Sequence, residues 1–226
     1  MEGPAAYAWV FDIVSDDPVR RRAALDRYRV TLEASHEAQR WINRVWAQAG
    51  SLAPEQPNLA AEMDQAFAAK READALTFFA PIRRWWNDGS NDPAWHEEFA
   101  PYAVLFLDWE AHFPDEWREA GSWGHSPWGA KEGVLRRLIR KGVPVNVKSS
   151  VEDLVVAAVT REYRCKDWMY AALVRLVDEP SLRDRLGSLL ASEESLTKLR
   201  TEFVLHVLDS PGVRVKRATW QRWLAG

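Results

Sequence analysis

Asp108 and His112 sit four residues apart in a stretch without glycine, so a helix would place both on one face, a spacing at which two ligands can share an ion. His96, with Glu97 and Glu98 beside it, opens the same predicted helix. A rise of about 1.5 Å per residue sets His96 roughly 18 Å from Asp108, so these groups cannot converge on one metal. Neither H-E-x-x-H nor a Cys/His finger spacing occurs. A site would have to recruit His125 or carboxylates from elsewhere, and the expectation is no metal and no cofactor.

Nucleophilic chemistry has little more to build on. The single cysteine, Cys165, lies between Arg164 and Lys166, cations that lower a thiol's pKa when they face it. Neighbours at a helix end point in different directions, however, which favours a buried structural cysteine at a helix junction. There is no G-x-S-x-G, no P-loop and no G-x-G-x-x-G, and Gly121-Ser122-Trp123-Gly124 is too bulky to cradle a phosphate. The acid pairs Glu97/Glu98, Asp115/Glu116 and Glu193/Glu194 are adjacent and splay apart on a helix. An enzyme would need residues that converge only in three dimensions, in a pocket under the Trp85 to Trp128 segment.

That segment holds seven of the 13 tryptophans and three of the five histidines. An indole offers a large apolar face and one N–H donor, so clustered tryptophans mean a heavily packed core or an adhesive surface. Trp109, on a predicted helix, is assigned to the core. Trp123 and Trp128 fall in Gly121 to Gly129, a stretch with three glycines and Pro127, and are expected to contact a partner together with Trp85 and Trp86.

Cations form two further groups. Arg136, Arg137, Arg140, Lys141 and Lys148 make one; Arg214, Lys216, Arg217 and Arg222, beside Trp220 and Trp223, make the other. On one face, with aromatics free to stack, they would suit nucleic acid, the alternative partner. On the last predicted helix the tryptophans instead share the inward side, which favours a solvated basic face. Residues 1–130 carry 12 Lys+Arg against 21 Asp+Glu, and residues 131–226 carry 18 against 12, so the halves have opposite charge.

The elements that must position these groups read as helices almost throughout, because apolar residues recur every three or four positions. A short helix is predicted over Ala5 to Val14. Asp17-Pro18 then supplies an N-cap and first-turn proline for a helix of about 32 residues ending near Gly50, with Leu25, Tyr28, Leu32, Ile42, Val45, Trp46 and Ala49 as its stripe. A second long helix begins near Asn58, uses Leu59, Met63, Phe67 and Leu76, and breaks at Pro81, giving an antiparallel hairpin. Asp92-Pro93 opens a helix running to about Phe113. Shorter helices follow near 130–141, 151–164, 167–177, 180–191, 193–208 and 213–224, with Ser149 and Glu152 as a capping-box pattern for the second of these.

The fold expected is all-α: a long helical hairpin and a tryptophan-rich middle, residues 1–129, packed on a C-terminal array of short helices, residues 130–226, HEAT-like in general form. With no spanning apolar run, no signal-peptide pattern and one cysteine, the chain is expected to be cytoplasmic and to make no membrane contact. Its expected role is to bind another macromolecule as a scaffold, adaptor or subunit.

Overall fold

The computed structural model describes residues 4–49, 57–87, 92–120 and 126–226, and among these every regular element is a helix, with no strand. No described helix is long and apolar enough to cross a membrane. The chain divides into two packed units, Met1–Asn87 and Asp88–Gly226. The division falls before the helix opened by Asp92-Pro93, which packs within the second unit.

The first unit opens on a 3₁₀ segment, Pro4–Val14. Three residues per turn align Tyr7, Val10 and Ile13 on one edge, and all three are buried. The long helix α1, Pro18–Ala49, starts as predicted, with the Asp17 carboxylate accepting from Val19 N–H at 2.9 Å. Its buried residues are Ala24, Tyr28, Ser35, Ala38, Ile42 and Val45. With half-buried Thr31 included, their intervals alternate between four and three, the a/d pattern of a helix packing along one seam. Helix α2, Pro57–Ala75, returns antiparallel: Met63 and Ala66 meet Ile42 and Val45, while Ser35 meets Asp74 near the other end. Sealing an Ile or Val from water contributes about 1.5–3 kcal/mol, so these few positions hold the hairpin. The chain then turns at Leu76–Phe78, ahead of Pro81, into the short helix α3, Phe79–Trp86. Residues preceding a proline are pushed out of the helical region, but here Pro81 occupies the first turn, where its missing N–H costs nothing.

The second unit is built around α4, Pro93–His112, which buries Phe99 and the run from Tyr102 to Leu107. Pro101 lies inside this helix and cannot donate to the carbonyl of Glu97. The Asn146 amide donates to that carbonyl at 2.9 Å, replacing the lost bond from outside the helix. After α5, Pro114–Ala120, comes α6, Pro127–Lys141, whose first turn takes in three residues expected to be loop. Ser126-Pro127 repeats the cap-and-proline signature of Asp17-Pro18: the Ser126 hydroxyl accepts from Gly129 N–H at 3.1 Å. Helix α7, Lys148–Thr160, also begins early, and Ser149 is therefore not its cap; Glu152 instead accepts from Ser181 Oγ at 3.4 Å. The helices α8 (Tyr170–Leu173), α9 (Pro180–Leu189), α10 (Ser195–Asp209) and α11 (Arg217–Leu224) complete the unit.

Candidate functional site

The largest concentration of buried charge was not foreseen from sequence. Glu110 ends the apolar run of α4, Lys131 lies on α6, and Arg161, Arg164 and Asp167 come from the turn after α7; the side chains of Glu110, Lys131 and Asp167 are completely sealed. Lys131 Nζ donates to Asp167 Oδ1 at 2.7 Å and to Glu110 Oε2 at 3.1 Å. Arg161 Nη2 reaches the same two oxygens at 2.7 and 3.0 Å, and Arg164 donates its backbone N–H to Asp167 Oδ2 at 2.9 Å and a guanidinium N–H to Glu110 Oε1 at 3.2 Å. Burial disfavours the charge on Arg161, but Asp167 and Glu110 more than offset that and raise its pKa above the ordinary arginine value. Burial, followed by the Glu110 charge, lifts the Tyr170 phenol well above its ordinary range and keeps it neutral. Every carboxylate oxygen is matched by cations or backbone, which makes this cluster a fastener between α4, α6 and α7.

The tryptophans assigned to partner contact separate on inspection. Trp85 is fully buried, which corrects its placement on a contact surface: it belongs to the core of the first unit. Trp86, next to it on α3, is 37 % exposed. Trp128 is half-buried in the first turn of α6, with its ring 4.9 Å from Trp117 and 5.4 Å from Lys131 Nζ. Trp123 and His125 lie outside the described residues. Trp109 is buried, as expected of a core residue. His112 contacts Asp108 on one exposed turn, and no group of three metal-ligating side chains occurs among the described residues. Cys165 is exposed.

The first basic group is divided between paired, buried and open positions. Arg136 pairs with Glu132 at 2.6 Å, Lys148 pairs with Glu179 at 2.5 Å, and Arg137 is buried, while Arg140 and Lys141 are exposed. Arg137 and Lys141 line a cleft of about 330 Å³ with Asp92, His96 and Glu97, in which cations and carboxylates balance. The His96 imidazole there already bonds to the Gly142 carbonyl at 3.1 Å. The second group differs: Arg214, Lys216, Arg217 and Arg222 are all exposed, while Trp220 is buried and Trp223 half-buried, as the helical pattern predicts.

The first unit carries a further feature, which lies on its hairpin. Trp41 occupies one flank of the α1 seam and donates to Glu62 of α2 at 3.2 Å, closing that edge. In an antiparallel pair the opposite flanks also face each other, and this places Trp46 and Phe67 on the second edge, 44 % and 39 % exposed. Leu25 and Leu32, at the same flank position as Trp46 but whole heptads earlier, are half-buried. The signal in the sequence was the heptad count; reading Trp46 as part of the inward stripe concealed it. No family model, no curated protein and no solved structure matches the chain.

Proposed function

We propose that the protein is a helical interaction protein whose hairpin receives an amphipathic helix of a partner protein along the Trp46–Phe67 edge. The observation that carries this reading is the pair of large aromatics left outside the seam at corresponding flank positions, where the opposite edge is closed by Trp41 and Glu62. Helix α1 packs on α2 and on the 3₁₀ segment Pro4–Val14, and these leave the Trp46 flank partly open. Aromatic anchors of this kind commonly carry about 2 kcal/mol or more of binding energy each. The sealed ion network supports the reading from the other direction, since its charged groups are committed to holding helices together.

The test compares proteins captured from native lysate by the wild type and by the Trp46→Glu, Phe67→Glu double variant. The expected result is a defined partner retained by the wild type and lost by the variant, with both chains melting alike because the replaced side chains lie outside the seam. Equal capture by both chains, or capture of nothing by the wild type, overturns the proposal.

A further inference from the structure

The second unit contains a cleft of about 520 Å³ between α10 and α11, within the size range of small-molecule and cofactor sites. Phe203, His206 and Trp223 form its aromatic wall, and Glu202, Thr219 and Arg222 bring polar groups to it. Trp223 is held flat: its ring stacks on His206 at 4.9 Å with an interplanar angle of 21°, its edge meets Phe203 at 5.6 Å, and its N–H donates to the Leu199 carbonyl at 3.1 Å. An indole fixed at its N–H and on one face is a preformed stacking surface.

Of the cations in the segment after α10, Arg222 lines this cleft, while Arg214 and Lys216 line an adjoining one of about 590 Å³ that shares Val213 with it. Residues 210–226 contain four cations and no acidic side chain, and Arg214, Lys216, Arg217 and Arg222 are exposed. The segment bearing them is anchored from below by Arg175, whose guanidinium donates to the carbonyls of Val207, Ser210 and Val213 at 3.0, 2.9 and 2.9 Å. Thr219 Oγ1, on α11, accepts from Lys216 N–H at 2.8 Å and faces the carbonyls of Lys216 at 2.8 Å and Arg214 at 3.1 Å, fixing the backbone ahead of the helix. Outside this segment the cations of the unit are largely spoken for: Arg183 bridges Asp178 and Asp209, and Lys148 meets Glu179.

We propose that this α10–α11 cleft binds single-stranded nucleic acid, stacking a base in the aromatic cleft while Arg222 and, in the adjoining cleft, Arg214 and Lys216 follow the phosphates. A groove of cations with an aromatic platform is the arrangement that holds unpaired strands, because bases offer their faces only when unstacked. A duplex hides those faces. An anionic membrane would call for apolar side chains turned outward beside the cations, whereas Trp220 is buried against Phe203, their rings 5.3 Å apart. This site is separate from the hairpin edge and stands or falls without it.

The experiment is fluorescence anisotropy on the full chain with four probes at low salt: a labelled single-stranded oligonucleotide, its duplex, a strand of equal length made abasic, and anionic phosphatidylserine vesicles. The single strand is expected to bind best, with the abasic strand weaker by roughly tenfold, the usual worth of a stacked base. Three phosphate contacts at about 0.7 each predict a slope near −2 for log affinity against log salt. Arg214→Glu with Lys216→Glu should weaken binding by at least about tenfold and flatten that slope by about 1.4, roughly 0.7 for each phosphate no longer neutralised. His206→Ala should narrow the gap between normal and abasic strands. No oligonucleotide binding at low salt, equal affinity for normal and abasic strands, or binding confined to vesicles each overturns the proposal.

Discussion

Asp74 in the first unit and Asp167 in the second each gather two cationic side chains and one further donor, but they do so in different surroundings. Asp74 receives Lys70, Arg83 at 3.0 Å and the Ser35 hydroxyl at 2.6 Å, and its side chain keeps 22 % of its exposure. Asp167 receives Lys131, Arg161 and the Arg164 backbone, and it keeps none. Water can complete the shell of Asp74. The protein must complete that of Asp167, and it does so by adding Glu110, so that three cations share two carboxylates in one connected set. A sealed charge therefore demands partners from α4, α6 and the turn after α7, whereas a half-open one is satisfied within a hairpin and the short helix α3 that follows it.

The sharpest test of this difference is Asp167→Ala. It removes the oxygens that answer Lys131 and Arg161 and leaves excess positive charge in a sealed site, for which a loss of about 3–5 kcal/mol is expected by urea denaturation. Lys131→Met should cost distinctly less, about 1–2 kcal/mol, because Arg161 and Arg164 still answer both carboxylates and the thioether fits against the Trp128 and Tyr170 rings. If the lysine variant proves the more damaging, the balance of charge assigned to the cluster is wrong.

The hairpin was legible because its signals are local: Asp17-Pro18 fixed one end of α1, and the three-and-four rhythm found Tyr28, Ile42 and Val45 of its buried face, while Ala24, Ser35 and Ala38, small or polar, gave no strong apolar signal. The same signature at Ser126-Pro127 was masked by neighbouring glycines, which drew Trp128 into a loop. Glu110 did carry a clue. It follows Phe106 and Leu107 by four and three residues on a helix, which places a carboxylate on an apolar face and requires a buried partner. Which cation would answer it was beyond the sequence, since Lys131 and Arg161 lie 21 and 51 residues away and no spacing rule joins them. The Trp46–Phe67 edge was hidden for a different reason: flank positions border the seam, and a hydrophobic stripe does not show where burial stops.

Asp74→Ala tests the half-open side of the comparison. Its polar partners regain water, so the expected loss is about 1–3 kcal/mol, below that for Asp167. Burial raises the Asp74 pKa, but bonds from Lys70, Ser35 and Arg83 together outweigh it and hold the pKa below the ordinary value of 3.8. A depressed aspartate stabilises the fold above that ordinary value and loses its contribution as pH falls through it toward the depressed one. Wild type and Asp74→Ala should therefore differ most near neutral pH and converge in strong acid. A gap that widens on acidification would reverse the assigned sign.

Arg136→Ala completes the series at its open end. Arg136 donates to Glu132 at 2.6 and 2.9 Å, geometry as short as any in the sealed network, and yet its side chain is 65 % exposed. If distance governed stability, this variant would rank with Asp167→Ala. If burial governs, water replaces the lost bonds, Lys166 continues to pair with Glu132, and the change stays below about 0.5 kcal/mol, as for other helical pairs four residues apart. Added salt discriminates further, because an exposed pair is screened and a sealed one is not: the small effect of Arg136→Ala should vanish by 1 M salt, where the Debye length is about 3 Å, while the Asp167→Ala deficit persists. Equal salt sensitivity of the two variants would mean that solvent reaches the Glu110–Lys131–Asp167 cluster, and its role as a fastener would have to be given up.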